Sequence, residues 1–392
     1  MVYILILITL LCLTFHYDIR GKTKYHNEWY NIMLIVAILL AGLRWRLMWD
    51  TASYLNSFYH IYPSLKEFSL EDYPIGKDPL FVLLNSMVKT IGGRFYVVQL
   101  IHAAFVNILI FNYFKKHCHY IFTCLLFYAL VAYFNLSMEV MRASMSIVIC
   151  LYANDYILEK KWIKAYLLLF IALMFHVQTL LIFIVPFLYV LRFNKIGVIF
   201  LLSASMLGYI LQGNYGSFFE LLALGDNMGN KISAYAESDY FGGQGGNLNN
   251  IIVHILPNLL YTLGSLYYIK RVDVNNKMLK FEPLVMIGLV FLFMQISLSI
   301  VYRFVDYYVI YFILFYSEVF VEIARKPNRL SKGLAYVKAI MVFFPFFISY
   351  VYSYIGSWTI CPYSSVIERR IDKNREDHLM ETNSPGADRN EY

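Results

Sequence analysis

Ionisable side chains at the ends of apolar segments are the residues of this sequence that could do chemistry. They are Arg44, Arg46, Asp50, Glu139, Arg142, His176, Arg303 and Asp306. A charged group within a membrane span costs at least about 2.5–3.5 kcal/mol, so such residues suggest a functional role. The guanidinium group of arginine presents a planar fork of donors that matches a phosphate group and stays protonated. Four arginines expected at one depth on one face therefore predict an anionic ligand, such as the diphosphate of a lipid carrier.

A second interpretation of the same residues is mutual neutralisation. If their segments are helical, three acid–arginine pairs fall at spacings that bring the side chains together. The pairs are Arg46 with Asp50, Glu139 with Arg142, and Arg303 with Asp306. Pairing explains Arg44 least well, because its only nearby acid is Asp50. Snorkelling of a long arginine side chain to the membrane interface is a further structural explanation, and the sequence leaves these alternatives open.

His176, in the segment IALMFHVQTL, is the candidate proton acceptor. Imidazole is the side chain best suited to take a proton near neutral pH. His176 interrupts an apolar stretch, 162–191, that also contains Gln178 and Pro186. That stretch is predicted to form two short helices or a re-entrant hairpin, which is tolerated only beside protein or a water-filled cavity. A hydrogen-bonded structural histidine is the alternative.

The composition is that of an integral membrane protein. Of the 392 residues, 59% are hydrophobic and 15% are charged, whereas soluble domains are about 45–50% apolar and about 25% charged. Apolar segments lie at about 2–17, 30–43, 95–114, 119–136, 142–158, 162–176, 177–191, 196–211, 251–269, 284–302, 305–323 and 333–356, with a weaker one at 79–92. We therefore predict an all-α, polytopic transmembrane fold with about twelve membrane segments and re-entrant pieces. A soluble protein is excluded.

The positions of lysine and arginine predict the orientation of these segments. The net charge is +7, and most of the basic residues cluster in six short loops, a pattern typical of a cytoplasmic face. The charge is therefore not interpreted as a nucleic-acid-binding surface. All six clusters fall on one side if the N-terminus is outside and 79–92 is a re-entrant or interfacial helix.

This orientation predicts one polytopic membrane domain over residues 1–367, with long outer loops at about 44–78 and 212–250. The polar segment 368–392 is predicted to be a disordered tail. Strict alternation of the spans places the tail outside, although its basic residues Arg369 and Arg370 favour the cytoplasm. The side of the tail is left open.

Five segments, in this order along the chain, resemble the motifs of a known family of membrane proteins. They are AGLRWRLMWDTASYLNSFYHI (41–61), DPLFVLLNSMVKTIGG (78–93), MEVMRASMSIVICLYANDYILEKKWIKAYLLLFIALMFHVQTLLIF (138–183), SIVYRFVDYYVIYF (299–312) and CPYSSVI (361–367). Together they resemble the EpsG family, membrane proteins grouped with the Wzy-type O-antigen and exopolysaccharide polymerases. Two positions depart from the family pattern: Asp78 stands where Glu is usual, and Ala143 stands where Gln usually follows the arginine.

The resemblance implies a metal-independent glycosyltransferase with the all-helical, GT-C-like architecture of lipid-using enzymes. Such polymerases transfer a growing glycan from undecaprenyl diphosphate onto an incoming lipid-linked repeat unit, at the periplasmic face of the bacterial inner membrane. The expected partners are the lipid-linked donor and acceptor, the bilayer, a chain-length regulator and a flippase. No cofactor and no metal site are expected, since His117–Cys118–His119 lacks a further ligand at a usable spacing.

Carried onto this chain, the resemblance implies that Arg44, Arg142 and Arg303 bind the diphosphate. His176 would activate the acceptor hydroxyl or assist the leaving group. Asp50 would orient an arginine or hold a sugar hydroxyl, so that His176, Arg142 and Asp50 form the catalytic set. The supporting positions are Arg46, Tyr54, Glu139 and Asp306.

Three other functions compete with the polymerase. An O-antigen ligase uses the same donor but attaches the glycan to a lipid A core. A polysaccharide flippase or exporter predicts internal repeats and charges along a path through the membrane. A membrane-bound acyltransferase would require its catalytic histidine and an acidic residue in one motif, and His176 has no acidic residue close to it in the sequence.

Overall fold

The computed structural model describes residues 2–67, 78–212, 251–272, 276–296, 301–325, 342–351, 357–370, 372–375 and 377. These residues form an all-helical structure, and none of them lies in a β-strand. An isolated bridge joins Arg44 to Ser365. The predicted all-α class is therefore confirmed. The predicted outer loop at 212–250 lies almost entirely outside the described residues.

The α-helices are α1 (Val2–Leu13), α2 (His26–Gly42), α3 (Thr51–Asn56), α4 (Pro79–Thr90), α5 (Phe95–His117), α6 (Ile121–Val131), α7 (Met141–Leu158), α8 (Trp162–Phe175), α9 (Val185–Leu188), α10 (Lys195–Gln212), α11 (Leu256–Val272), α12 (Asn276–Leu279), α13 (Glu282–Gln295), α14 (Tyr302–Val305) and α15 (Val309–Arg325). A further helical segment lies at 342–350. Turns of π-helix cover Thr14–Ile19, Ser57–Ile61, Asn135–Glu139 and Ile251–Ile255, and a 3₁₀-helix covers Val177–Ile184. Irregular turns of this kind are frequent at functional sites.

Two described helices are long and apolar enough to cross a bilayer: Val2–Ile19, which joins α1 to its π-helical turn, and α5. The other apolar helices found by the same measure, such as α6, α8 and α13, have only 10–17 residues. The prediction of about twelve membrane segments is therefore not confirmed. It stays a prediction, as does the GT-C-like architecture.

Helix α4 begins at Pro79, inside the weak apolar segment 79–92. Its 12 residues span about 18 Å at the rise of an α-helix, which is shorter than the hydrocarbon core of about 30 Å. The buried side chains Phe81, Val82 and Val88 face the rest of the protein. A re-entrant or interfacial helix at this position fits that length.

Glycines allow two of the helix pairs to approach closely. A Cβ atom at Gly42 of α2 would lie 2.5 Å from Leu100 Cδ1 of α5. A Cβ atom at Gly288 of α13 would lie 2.6 Å from Phe312 Cζ of α15. In a membrane the hydrophobic effect does not drive helices together, because lipid is as apolar as their side chains. Small residues at helix interfaces instead allow the two backbones to pack closely.

Basic side chains pair with acids and histidines at one end of the helical bundle. These contacts link the C-terminal ends of α5 and α7 to each other, the end of α5 and the end of α11 to the region where α13 begins, and His119 to the second half of α15. They are Lys116 Nζ–Asp155 Oδ2 (2.7 Å), Lys280 Nζ–His117 Nδ1 (3.3 Å), Lys270 Nζ–Glu282 Oε1 (2.7 Å) and His119 Nδ1–Glu318 Oε1 (2.7 Å). Several basic loops therefore lie at the same end of the molecule, and Arg142 lies at the opposite end of α7.

The C-terminal part of the chain pairs with the segment that follows α2. The backbone N–H groups of Trp45 and Met48 donate to the carbonyl oxygens of Ser364 (2.8 Å) and Thr359 (2.9 Å). In return, the N–H of Val366 donates to the carbonyl of Leu43 (2.8 Å). Residues 357–366 therefore lie on the same face of the protein as Asp50.

The beginning of the predicted disordered tail, 368–392, is held to the fold. The buried side chain of Arg375 donates from Nε to the carbonyl of Trp358 (2.9 Å) and from Nη2 to that of Pro362 (2.6 Å). The charged side chain of Arg375 thus has backbone acceptors that the sequence does not reveal, and a disordered tail stays a prediction. Residues 378–392 lie outside the described residues.

Candidate active site

A polar cavity of about 500 Å³ opens at the end of the bundle that carries Arg142. It lies between the start of α3, the π-helical turn Asn135–Glu139, the start of α7 and the break after α8. Its lining residues are Trp49, Asp50, Ser53, Tyr54, Asn135, Glu139, Val140, Arg142, Ala143, His176, Gln178, Tyr302, Arg303 and Asp306. A cavity of this size is typical of a small-molecule site.

Most of the predicted site residues come together in this cavity. They are Asp50, Tyr54, Glu139, Arg142, His176, Arg303 and Asp306. These residues come from distant parts of the chain, and all but Tyr54, which the family resemblance suggested, were predicted from their positions at the ends of apolar segments. The structure therefore shows the convergence that the sequence could only suggest.

Arg44 does not reach the cavity. Its side chain is fully buried, and its two terminal nitrogens donate to the carbonyl oxygens of Ala41 and Met138, each at 2.7 Å. Helix α2 ends at Gly42, and the last carbonyl groups of a helix lack partners within it. Arg44 donates to one of these carbonyl groups and does not line the cavity, and its role as a diphosphate ligand stays a prediction.

Arg46 lies outside the cavity as well. Its guanidinium carbon is 4.9 Å from the centroid of the Trp45 ring. It lines a separate small crevice beside Thr359 and the buried Arg375. Of the four arginines expected on this face, Arg142 and Arg303 line the cavity, and a supporting role for Arg46 stays a prediction.

Asp78 connects the cavity residues and was not among the predicted site residues. Its Oδ2 atom lies 2.9 Å from Nη1 of Arg142 and 3.6 Å from Nδ1 of His176. Its Oδ1 atom accepts the backbone N–H of Val177 at 3.1 Å. The carboxylate is buried, immediately before Pro79 at the start of α4. The available signal was its place in the DPLF motif, where the family pattern has Glu.

The chain breaks at His176, as the sequence predicts. His176 has extended backbone angles (φ −160°, ψ 123°) between α8 and the 3₁₀-helix Val177–Ile184. The break directs the N–H of Val177 at Asp78 and keeps the imidazole beside the same carboxylate. The side chain of His176 is 14% exposed. Its Nδ1 atom faces Asp78, which leaves Nε2 as the nitrogen that can meet a ligand.

The π-helical turn Asn135–Glu139 shapes the opposite wall. Asn135 Nδ2 donates to Asp306 Oδ2 at 2.8 Å, and Glu139 Oε1 accepts the backbone N–H of Asp50 at 2.8 Å. Burial and the neighbouring Asp50 raise the pKa of Glu139 to about 7. Close to neutral pH this carboxyl therefore carries only part of its charge, which lessens its repulsion of an anionic ligand.

The cavity side chains have partners beyond the helical ion pairs that their spacing suggests. Arg142 forms its ion pair with Asp78 and a hydrogen bond with Tyr54, and does not depend on Glu139. Asp306 accepts a hydrogen bond from Asn135. Asp50 interacts electrostatically with both Arg303 and Arg142. Arg142 is thus held by partners on other elements, whereas Arg303 contacts its neighbour Tyr302, and both arginines remain part of the cavity wall.

The histidines on either side of Cys118 bind acids. His117 Nε2 lies 2.8 Å from Asp155 Oδ2, and His119 Nδ1 lies 2.7 Å from Glu318 Oε1. Within the described part of the chain, no three His, Cys, Asp or Glu side chains are grouped so that they could hold a metal ion.

The described residues form a helical protein, with two helices long and apolar enough to cross a bilayer and a site of arginine, histidine and carboxylate groups at one end of its bundle. The model of the EpsG family matches residues 28–365. This chain belongs to the EpsG family. No curated protein and no solved structure matches it.

Proposed function

We propose that this protein polymerises undecaprenyl-diphosphate-linked oligosaccharide repeat units at the periplasmic face of the bacterial inner membrane. The products would be O-antigen, capsule or exopolysaccharide. Membership of the EpsG family supports a polymerase of this type. The main support for the proposal is that Arg142 and His176 both face one buried carboxylate, that of Asp78. Arg142 and His176 line a cavity that Arg303 also lines.

The two arginines suit the leaving group of this reaction. The growing glycan leaves its carrier when the bond between its anomeric carbon and the diphosphate oxygen breaks, and the electron pair stays on the diphosphate. Donors fixed in position stabilise such developing negative charge without reorganising during the reaction. Arg142 is fixed by Asp78 and Tyr54, and Arg303 lines the same cavity.

His176 suits the attacking hydroxyl. As the acceptor oxygen forms its bond to the anomeric carbon, its proton passes to Nε2 of His176. Asp78 faces Nδ1 at 3.6 Å and stabilises the imidazolium that forms. Asp78 acts through His176 and Arg142 and is therefore a positioning residue.

The distribution of basic residues supports the proposed orientation. Lys116, Lys270 and Lys280 make their contacts at the end of the bundle away from Arg142. Basic loops favour the cytoplasmic side of a bacterial inner membrane. The cavity would then face the periplasm, where a flippase delivers lipid-linked units and a chain-length regulator would act on the polymerase.

Complementation of a strain that lacks this gene tests the proposal. We expect Arg303→Ala and His176→Ala to leave a single repeat unit on the carrier in place of a glycan ladder, with elongation about 100-fold slower or worse. Arg94→Ala is the matched control, because Arg94 is exposed just before α5 and lines neither the cavity nor its rim. Surface glycan is compared on gels at equal membrane abundance of each variant.

The deletion strain separates the competing functions. Retention of one repeat unit on the lipid without a ladder supports a polymerase. Loss of all surface glycan, the single unit included, would contradict it in favour of an O-antigen ligase or a flippase. A full ladder from both variants would show that the proposed site is wrong.

A further inference from the structure

A second cavity, of about 300 Å³, adjoins the first. The two share Asn135, Glu139, Tyr302 and Asp306 as lining residues. The remaining wall comes from the near ends of α6, α11, α13 and α15 and from the helical segment 342–350. Asn258, Gln295 and Ser349 add further polar groups to this wall. The second cavity therefore lies at the same end of the bundle as the first and continues from it.

The chemistry of this lining differs from that of the first cavity. Among the described residues that form it, none is a lysine or an arginine. Its polar groups are amides, carboxyls and hydroxyls, and they alternate with apolar side chains such as Leu292, Val309 and Phe312. Amides and carboxylates supply both donors and acceptors, which is what several neighbouring hydroxyl groups require.

We propose that the second cavity binds an uncharged sugar of the lipid-linked repeat unit, next to the bond that reacts in the first cavity. The inference rests on the proposed function for the identity of the glycan. A ligand that spans both cavities would have its diphosphate beside Arg142 and Arg303 and its sugar hydroxyls beside Gln295 and Asn258.

Two other ligands fit the second cavity poorly. A phosphate group would bind there without any of the cations that normally pair with it. A polyprenyl chain would bury the polar groups of Glu139, Asp306 and Gln295 against hydrocarbon, which costs free energy for each group left without a hydrogen bond. The mixture of polar and apolar groups instead matches a sugar ring, which has hydroxyls at its edge and apolar C–H faces.

The wall between the cavities includes a hydrogen-bonded pair. Asn135 Nδ2 donates to Asp306 Oδ2 at 2.8 Å, and both residues line both cavities. This pair lies where a glycan would pass from one cavity to the other. Asn135 and Asp306 would therefore contact the sugar at the junction, and Gln295 would contact a sugar further from the reacting bond.

Binding to the full-length protein, purified in detergent, tests the assignment with two separate probes. The first is the strain's own repeat-unit oligosaccharide, released from its carrier by mild acid; the second is undecaprenyl diphosphate without sugar. We expect Gln295→Leu to weaken oligosaccharide binding about 10-fold, since one hydrogen bond to a hydroxyl is lost. Its affinity for undecaprenyl diphosphate should stay unchanged. Arg303→Ala should show the reverse pattern.

Ser349→Leu is a second variant, on a different helix, that adds bulk to the same cavity. Wild-type affinity for the oligosaccharide in both Gln295→Leu and Ser349→Leu would overturn the assignment. Loss of undecaprenyl diphosphate binding in these two variants would overturn it in favour of a lipid site. If the deletion strain contradicts polymerisation while the two-probe pattern holds, the proposed function falls and the sugar site stands.

Discussion

Asp78 places one buried negative charge between a histidine and an arginine that lie far away in sequence. It is 64 residues from Arg142, and His176 lies further along the chain, after the break that ends α8. Such a charge is stabilised only while its partners stay in place, because an unpaired charge in a buried position is costly. The same carboxylate therefore fixes both a candidate phosphate ligand and a candidate proton acceptor.

Replacement of Asp78 tests this positioning role. We expect Asp78→Asn to slow elongation at least about 10-fold, because the amide cannot balance the charge of Arg142 or of an imidazolium at His176. Asp78→Glu should retain most of the activity, since it keeps the carboxylate. Gel ladders and turnover with purified lipid-linked units measure the effect. Equal loss of activity in both variants at normal abundance would argue against the carboxylate's role.

The residue types of the site could be predicted from the sequence, and their orientation could not. The position of a charged residue at the end of an apolar segment indicates its depth in the membrane. On this basis Arg142, Arg303 and His176 were predicted to lie at one end of the bundle, where the structure places them. Depth does not indicate which way a side chain points around its segment. The side chain of Arg44 therefore points away from the cavity that its position suggests, because it donates to the carbonyl groups of Ala41 and Met138.

Irregular turns at the ends of helices form most of the cavity wall. The π-helical turn Asn135–Glu139 precedes α7, and the extended residue His176 separates α8 from a 3₁₀-helix. The break at His176 could be predicted, because polar residues and a proline interrupt an apolar stretch there. The π-helical turn could not be predicted, because its hydrogen bonds depend on tertiary packing, which produces no periodic pattern of residues in the sequence.

The close packing of α13 against α15 supports the wall of the second cavity. Gly288→Ala should destabilise the protein by about 1–3 kcal/mol, because the added methyl group would overlap Phe312 and Tyr308. Gly264→Ala is the matched control, since nothing lies within 4 Å of the corresponding position on α11. Replacement of a helix glycine by alanine there should be neutral or stabilising. Thermal unfolding in detergent compares the two, and equal melting temperatures would contradict this packing argument.

At the scale of the whole molecule, the cavity and the basic clusters lie at opposite ends of the bundle. Arg142 begins α7, and Asp155, near its other end, contacts Lys116. The predicted number of membrane spans is not needed for this result, because it follows from contacts between helix ends. The sequence predicted the separation from charge alone, through the preference of basic loops for one side of a membrane.

Labelling of single cysteines tests the orientation of these two ends. In a variant without native cysteines, Arg94→Cys lies at the start of α5, and Glu159→Cys lies just after α7. We expect a maleimide that cannot cross membranes to label position 94 in spheroplasts and position 159 only after lysis. Labelling of position 159 in intact spheroplasts would invert the orientation and place the cavity in the cytoplasm.

The pairing of residues 357–366 with the segment after α2 has a consequence for biosynthesis. A ribosome synthesises the chain from its N-terminus onward, so Leu43, Trp45 and Met48 lack their backbone partners until residues 359–366 have been made. The rim that carries Trp49 is completed by Trp358, whose ring lies 4.9 Å away. A nascent chain that has not yet reached these residues therefore lacks part of the cavity rim, which is completed by a segment distant in the sequence.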